Sequence, residues 1–412
     1  MSSRFAYLSQ GKLYISNEQA SPILYESNFA QGIRDRAFEL HRRNAWKNRG
    51  GNDGKLFSSA ALWGASQSDP FQMRIELNSV SPRGEGDGFV YSLISPEISG
   101  VLALKEGTGS ELRLLHTADY KVTQVVSQPR TGRLAISLRQ PAGATVAIME
   151  GDGTCFAEVT QGESHDESPS WVPGEKNQIV FQSAGFAHNE HGNVVGKAPY
   201  SIQLLDLDTM QLRTFFEDEK HDLLAPKLAN DGTLYFIRRP YVFGLRHRSL
   251  WRWIEDILLL PYRLLYAFFQ FLNIFSMMYT GKPLSQSGPF LRKEAEPTNM
   301  IIWGNLLEAR KTLTGNSSVG QSMAPASWEL CRRSPEGNIE VLAKSVLSFD
   351  LESDGSLLFT NGIGIFRRSP GGKDTRIHKA SLIHQVVALG PKVENSQSTT
   401  VGTVSTEATT LR

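Results

Sequence analysis

Cysteine is almost missing: Cys155 and Cys331 are the only two in 412 residues, far apart and without a Cys-x-x-Cys or Cys-His spacing. A disulfide framework and a cysteine-built zinc site are therefore excluded. An excess of one charge is missing too. Lys+Arg number 43 against Asp+Glu 42, so no global field marks the chain for nucleic acid, and any basic signal is local. The N-terminus, MSSRFAYLSQGKLYISNEQ, has no basic stretch followed by an apolar run. It reads as a strand, and the cytosol is the expected compartment.

The signatures of several enzyme classes are also missing. There is no Gly-x-Ser-x-Gly; the nearest string, GNSSVG at 315–320, has the wrong spacing and lies in a polar loop. No region of alternating strands and helices remains to build a hydrolase domain. No phosphate-binding or dinucleotide loop occurs. The expectation is a chain that is not an enzyme and holds no cofactor and no metal.

What is present is a repeat of turns and short strands, with 40% apolar residues to fill a large core. Glycine precedes a β-type run at Gly11, Gly100, Gly132, Gly174, Gly232 and Gly355. Alternating apolar residues between turn residues are the strand signal. Asp231-Gly232 and Asp354-Gly355 supply the positive φ of a tight hairpin. Further hairpins follow at 145–160, 200–216, 327–343 and 362–380. Two hairpins make a four-stranded sheet, which cannot bury both faces alone. Radial stacking of several such sheets solves this, so the fold expected is all-β, a propeller of about six four-stranded blades.

The best copies are HDESPSWVPGEKNQIVF (165–181) with YSIQLLDLDTMQLRTF (200–215), and HDLLAPKLANDGTLYF (221–236). With Pro169, Ser170, Trp171, Pro173 and Gly174, then Leu205, Asp206, Leu207 and Thr209, the first resembles the TolB-like, WD40-like Pd repeat. Pro226, Asp231, Gly232, Leu234 and Phe236 match in the next unit, while residues 1–95 hardly match. The resemblance implies roughly six blades and a binding platform, with Trp171 filling space between blades.

Three stretches leave the repeat. Residues 29–48 read as a basic amphipathic helix inserted in the propeller, 1–392, and packed on its edge. The Ser/Thr-rich 393–412 reads as a disordered tail. An insertion at 239–326, inside one blade, contains LWRWIEDILLLPYRLLYAFFQFLNIFSMMYT at 250–280. At about 100° per residue its polar residues, Arg252, Glu255, Asp256, Arg263, Gln270, Asn273, Ser276 and Thr280, share one arc of about 160°. The other face carries Trp253, Ile257, Leu260, Leu264, Phe268, Phe271, Phe275 and Met278, with Trp251 as a further interfacial anchor. The 18 residues Leu264 to Gly281 are uncharged, near the lower limit for a span. A single span would put two halves of one blade on opposite sides of a membrane, which topology forbids. The helix is therefore expected to lie in the interface, helped by Arg238, Arg239, Arg246, Arg248, Arg252 and Arg263. The alternatives are a re-entrant hairpin at Pro261 and packing against a protein partner or against the propeller itself.

His165-Asp166 and His221-Asp222 each precede what reads as an inner strand, which puts them on one rim of the channel as candidate ligand groups. The plainer reading is an Asp that caps a turn amide and a His packed between blades. His188 and His191 are candidate metal ligands in a loop that otherwise reads as solvated. The long loops 183–199 and 239–326 occupy one position in successive blades and should emerge together. The function expected is a non-catalytic scaffold that binds a protein or peptide, held at the cytoplasmic membrane face by the helix. The alternative is a ligand- or metal-binding propeller, receptor or hydrolase, that uses the His-Asp pairs.

Overall fold

The computed structural model describes residues 4–17, 21–44, 75–84, 88–106, 108–141, 143–174, 176–188, 190, 194–242, 299–302, 305–308 and 322–390. The sheets form the six-bladed β-propeller expected from the TolB-like repeat. Blade two runs Glu76–Pro82, Phe89–Ile94, Ser99–Leu104 and Glu111–Thr117 from channel to perimeter. Blade three is Lys121–Ser127, Leu134–Gln140, Gly143–Met149 and Ala157–Glu158, and blade four is Ser164–Trp171, Gln178–His188, Ser201–Asp206 and Gln211–Phe216. Blade five is His221–Leu228, Leu234–Pro240, Glu329–Arg333 and Ile339–Lys344; blade six is Ser348–Leu351, Leu357–Thr360, Gly364–Arg368 and Asp374–Lys379.

Blade one closes the ring with strands from both ends of the described chain. Ile383–Leu389 is innermost, and Arg4–Ser9, Lys12–Asn17 and Ile23–Tyr25 lie outside it. The FAYLS run is antiparallel to the late strand, with Phe5 opposite Ala388 and Leu8 opposite Gln385.

Each blade buries its inner strands and exposes its outer one. Ser99–Leu104 is buried throughout, whereas four of the six residues of Gln211–Phe216 are exposed. The cores lie between blades: Ala135, Val146 and Ile148 of blade three meet Trp171, Phe181 and Leu205 of blade four. Trp171 also donates its indole N–H to the Val126 carbonyl of blade three (3.2 Å).

An innermost strand has a backbone edge with no fifth strand to pair it, and a buried amide without a partner is costly. Side chains of the neighbouring blade take that place. Gln385 Oε1 accepts from the Val80 amide (2.9 Å) while its Nε2 donates to the Val80 carbonyl (3.2 Å). Ser79 Oγ accepts from Val125 N–H (3.2 Å), Gln182 Oε1 from Ala225 N–H (2.8 Å), and Asp350 Oδ2 from Ala388 N–H (2.8 Å).

Two expectations change in detail. The His-Asp pairs do not precede the inner strands; they begin them, at Ser164–Trp171 and His221–Leu228. Pro169 and Pro226 fall within those strands because the ladder is broken there. Ser168 (φ 56°) and Ala225 (φ 50°) are left-handed, and the register shifts between Glu167 and Ser170 and between Leu224 and Lys227. A proline costs no ladder hydrogen bond at such a bulge. The glycines also differ in phase. Gly132, Gly174, Gly232 and Gly355 turn the first hairpin of their blades, but Gly11 turns a later hairpin and Gly100 lies inside a third strand. In blade one that first hairpin does not exist, because its two strands come from opposite ends.

The edge helix spans Asn28–Asn44. Ser27 Oγ caps it by accepting from Ala30 N–H (3.1 Å), and Phe29, Ala30 and Ile33 pack on the core of blades one and two. Residues 45–48, the helix expected at 250–280 and the tail at 393–412 lie outside the described residues. Among the described residues no helix is long and apolar enough to cross a membrane.

Candidate functional site

Second and third strands of a blade join on one end of the propeller, and both long loops leave from there. In blade four the second strand overshoots the sheet and folds back, pairing Phe186 with Lys197 and Ala187 with Gly196. In blade five the ladder runs unbroken around the insertion, with Leu234 opposite Arg333 and Arg238 opposite Glu329. The insertion thus leaves one blade without disturbing its register.

Its two feet are fixed on the neighbouring blades. At the first, Tyr241 donates its hydroxyl to the Lys197 carbonyl of the blade-four hairpin, and its amide donates to Lys220 O (2.9 Å). At the second, Met323 N–H donates to Asn361 O (2.9 Å) on the blade-six hairpin. Gly362 there has φ 92°, and a Cβ would stand 2.7 Å from that of Met323, so only glycine fits under this foot. Ala324, Trp328 and Leu347 seal it. Three exposed valines, Val194 (57%), Val195 (49%) and Val242 (66%), stand on the hairpin and beside the first foot.

Beneath lies a network of charges. Glu167 is buried, 2.5 Å from the Arg139 guanidinium, and accepts from the Tyr200 hydroxyl (3.2 Å). The Lys197 ammonium sits 4.0 Å from the Tyr200 ring centroid. Asp222 (5% exposed) accepts from Arg239 Nε (2.8 Å) and from the Tyr200 amide (3.0 Å). The Arg239 guanidinium in turn stacks over Trp328 (5.5 Å). Burial lowers the pKa of Lys197 against the opposing pull of Glu167 and Asp222. Tyr200 is pushed well up by burial and by the Glu167 charge, so it remains a donor.

Burial opposes ionisation of Glu167, but His165 and the Arg139 guanidinium outweigh it and hold the carboxyl at about 2, against the usual 4.5. A depressed folded-state pKa contributes stability above the unfolded pKa and loses it as pH falls through the folded one. The contribution is therefore full above about pH 4.5 and is lost towards pH 2. By the size of the shift it is on the order of 3 kcal/mol. Urea midpoints measured across that window should fall less steeply for Glu167→Gln than for the native chain. Parallel curves would show that Glu167 does not titrate as described.

The structure does not pair either histidine with the aspartate next to it, because neighbours on a strand face opposite sides. His165 Nδ1 lies 3.9 Å from Glu167 and its ring meets Phe186 edge-on (5.0 Å); His221 Nδ1 lies 2.9 Å from Asp218. Asp166 accepts from Ser183 Oγ (2.6 Å). Both pairs lie near the start of an innermost strand. His188 Nδ1 lies 3.3 Å from Glu163, while His191 is outside the described residues. Among the described residues no three His, Cys, Asp or Glu side chains gather as a metal site. Of the basic flank, Arg238 is tied to Glu329 (2.7 Å) and Arg239 to Asp222, so both serve the blade; Arg246, Arg248, Arg252 and Arg263 lie outside the described residues, as do Trp251 to Met278. Sequence reasoning missed Glu167, Arg139, Tyr200 and Lys197. A Glu directly after His-Asp was the available signal, but its partners lie up to 33 residues away.

No protein-family model matches the chain, and no curated protein matches it. Solved structures do. TolB from Acinetobacter baumannii is 9% identical, with a TM-score of 0.48 over 94% of this chain and 66% of that one. A nidogen/laminin complex is 6% identical, with a TM-score of 0.49 over 94% and 98%. An oligogalacturonate lyase from Vibrio parahaemolyticus is 9% identical, with a TM-score of 0.36 over 71% and 62%.

Proposed function

We propose that the chain is a non-catalytic binding platform whose rim, between blades four and six, receives a protein or peptide partner. The observation that carries this reading is the pair of feet. Two insertions leave the same position in adjacent blades, and the base of one is hydrogen-bonded to the other at Tyr241 and Lys197. The two bases are thereby joined on one rim of the ring, with exposed valines beside charges fixed in place by Arg139–Glu167 and Arg239–Asp222. Rigid scaffolds that present loops on one face are suited to recognition.

The amphipathic stretch 250–280 holds this platform at the cytoplasmic face of a membrane. Its apolar face supplies the insertion energy, and each basic residue near an anionic surface adds about 1 kcal/mol. Arg246, Arg248, Arg252 and Arg263 are the residues left for that role.

Photo-crosslinking amino acids placed at Val194 and Val242 should trap a protein in cells, whereas one at Leu112, on the perimeter of blade two, should not. Equal capture from all three sites would remove the rim from the proposal. For the membrane, the intact chain should float with anionic vesicles and lose this in high salt, and a chain lacking 250–280 should stay in solution. If the intact chain stays in solution too, 250–280 is not a lipid anchor.

A further inference from the structure

The seam between blades three and four holds a second feature that the rim reading does not use. The outer strand of blade three is only two residues long, Ala157–Glu158, so it leaves part of the face of blade four uncovered. A cavity of about 310 Å³ opens there, lined by Ser164, Asp166, Phe181, Gln203, Leu205 and Leu212 among others. The residues come from all four strands of the blade, in order from channel to perimeter. Asp166 belongs to the innermost strand and Phe181 to the second; Leu205 is on the third and Leu212 on the outermost. The cavity therefore has a carboxylate at its inner end, an apolar stripe of Phe181 and Leu205 beside the polar Ser164, Ser183 and Gln203, and a mouth at Leu212 and Met210, which are 57% and 55% exposed.

Asp166 is itself 5% exposed. Ser183 Oγ donates to its Oδ1 at 2.6 Å, and no cation pairs with the carboxylate among the described residues. This contrasts with the other two buried carboxylates of the region, Glu167 and Asp222, each of which has its own arginine. A buried carboxylate that faces a cavity favours a cation placed there. The apolar stripe selects the form of that cation. Lysine and arginine carry an aliphatic stem that lies well against Phe181, Leu205 and Leu212 while the charged head reaches further in.

We propose that this seam pocket receives the basic side chain, lysine or arginine, of a segment of a partner protein. The inference rests on the reading of the chain as a protein-binding platform and names a specificity for it. The stem packs on the leucines and Phe181, and the head forms a charge-assisted hydrogen bond with Asp166, seconded by the Gln203 amide oxygen.

The test uses the full chain, a displayed library of random peptides, and two variants. Asp166→Asn keeps an oxygen to accept from Ser183 but removes the charge. Leu212→Lys, at an exposed position, keeps the carboxylate but places a like charge in the mouth. Both should melt with the native chain. Peptides selected on the native chain should be enriched in lysine or arginine at one position. Each variant should weaken binding of those peptides by about tenfold to a hundredfold. Alanine at the enriched position should cost as much or more, and should cost less in Asp166→Asn than in the native chain, since only the packing of the stem is then left to lose. Peptides without such enrichment, or peptides that bind all three chains equally, overturn the pocket. If those peptides are displaced by crosslinks at Val194 or Val242, the rim reading survives that loss. If no peptide binds any of the chains, the pocket falls, and the crosslinks at Val194 and Val242 alone decide the rim reading.

Discussion

A chain ended at Ser381 should lose its cooperative fold. The missing strand, Ile383–Leu389, is the innermost of blade one, and four of its side chains, Ile383, Val386, Val387 and Leu389, are buried. Each such residue contributes about 1.5–3 kcal/mol when removed from water. Their sum, on the order of 6–12 kcal/mol, is comparable with the entire net stability of a typical domain, roughly 5–15 kcal/mol. The loss also unseats Phe5 and Tyr7, which pack on that strand, and frees the Val80 amide and carbonyl from Gln385. Urea unfolding followed by near-ultraviolet circular dichroism should show no sigmoidal transition. A truncated chain that unfolds cooperatively near the native midpoint would mean that the other five blades stand without closure.

Asp222→Ala should destabilise by up to about 3–5 kcal/mol, the usual result of removing one member of a buried ion pair. Arg239, 8% exposed, loses this carboxylate, and the Tyr200 amide loses an acceptor at the same time. Arg239→Met, made together with Asp222→Ala, should recover part of the loss, since no charge is then left buried. The two singles and the double form a cycle whose coupling term measures the pair itself. A loss below about 1 kcal/mol in Asp222→Ala would show that water reaches Arg239 and that the pair is of the surface kind.

Much of the blade architecture is legible in local sequence because its determinants are local. Asp-Gly turns and alternating apolar runs fix hairpins at 229–239 and 352–360, and the resemblance to the TolB-like repeat places Trp171 between blades. Closure is different. The pairing of Arg4 with Leu389 joins residues at opposite ends of the chain, and no periodicity within either segment specifies its partner. The same holds for the rim. His165-Asp166 and His221-Asp222 stand out by repetition, yet the carboxylate that gathers Arg139 and Tyr200 is Glu167, which has no counterpart in the second copy, where Leu223 follows the pair. Repetition reports what the blades share. A site built where blades differ leaves its trace in the departures.

The closing blade also sets how the ring responds to force. Arg4 lies opposite Leu389 and the strands run antiparallel, so the chain enters and leaves blade one at the same end. A tether that pulls on whatever precedes Arg4 and follows Leu389 draws these strands apart from that end. It loads their hydrogen bonds one pair at a time, like a zipper, instead of all together in shear. A pull at this one point thus opens the ring from blade one, and the first strand pairs to part are Arg4 with Leu389 and Phe5 with Ala388.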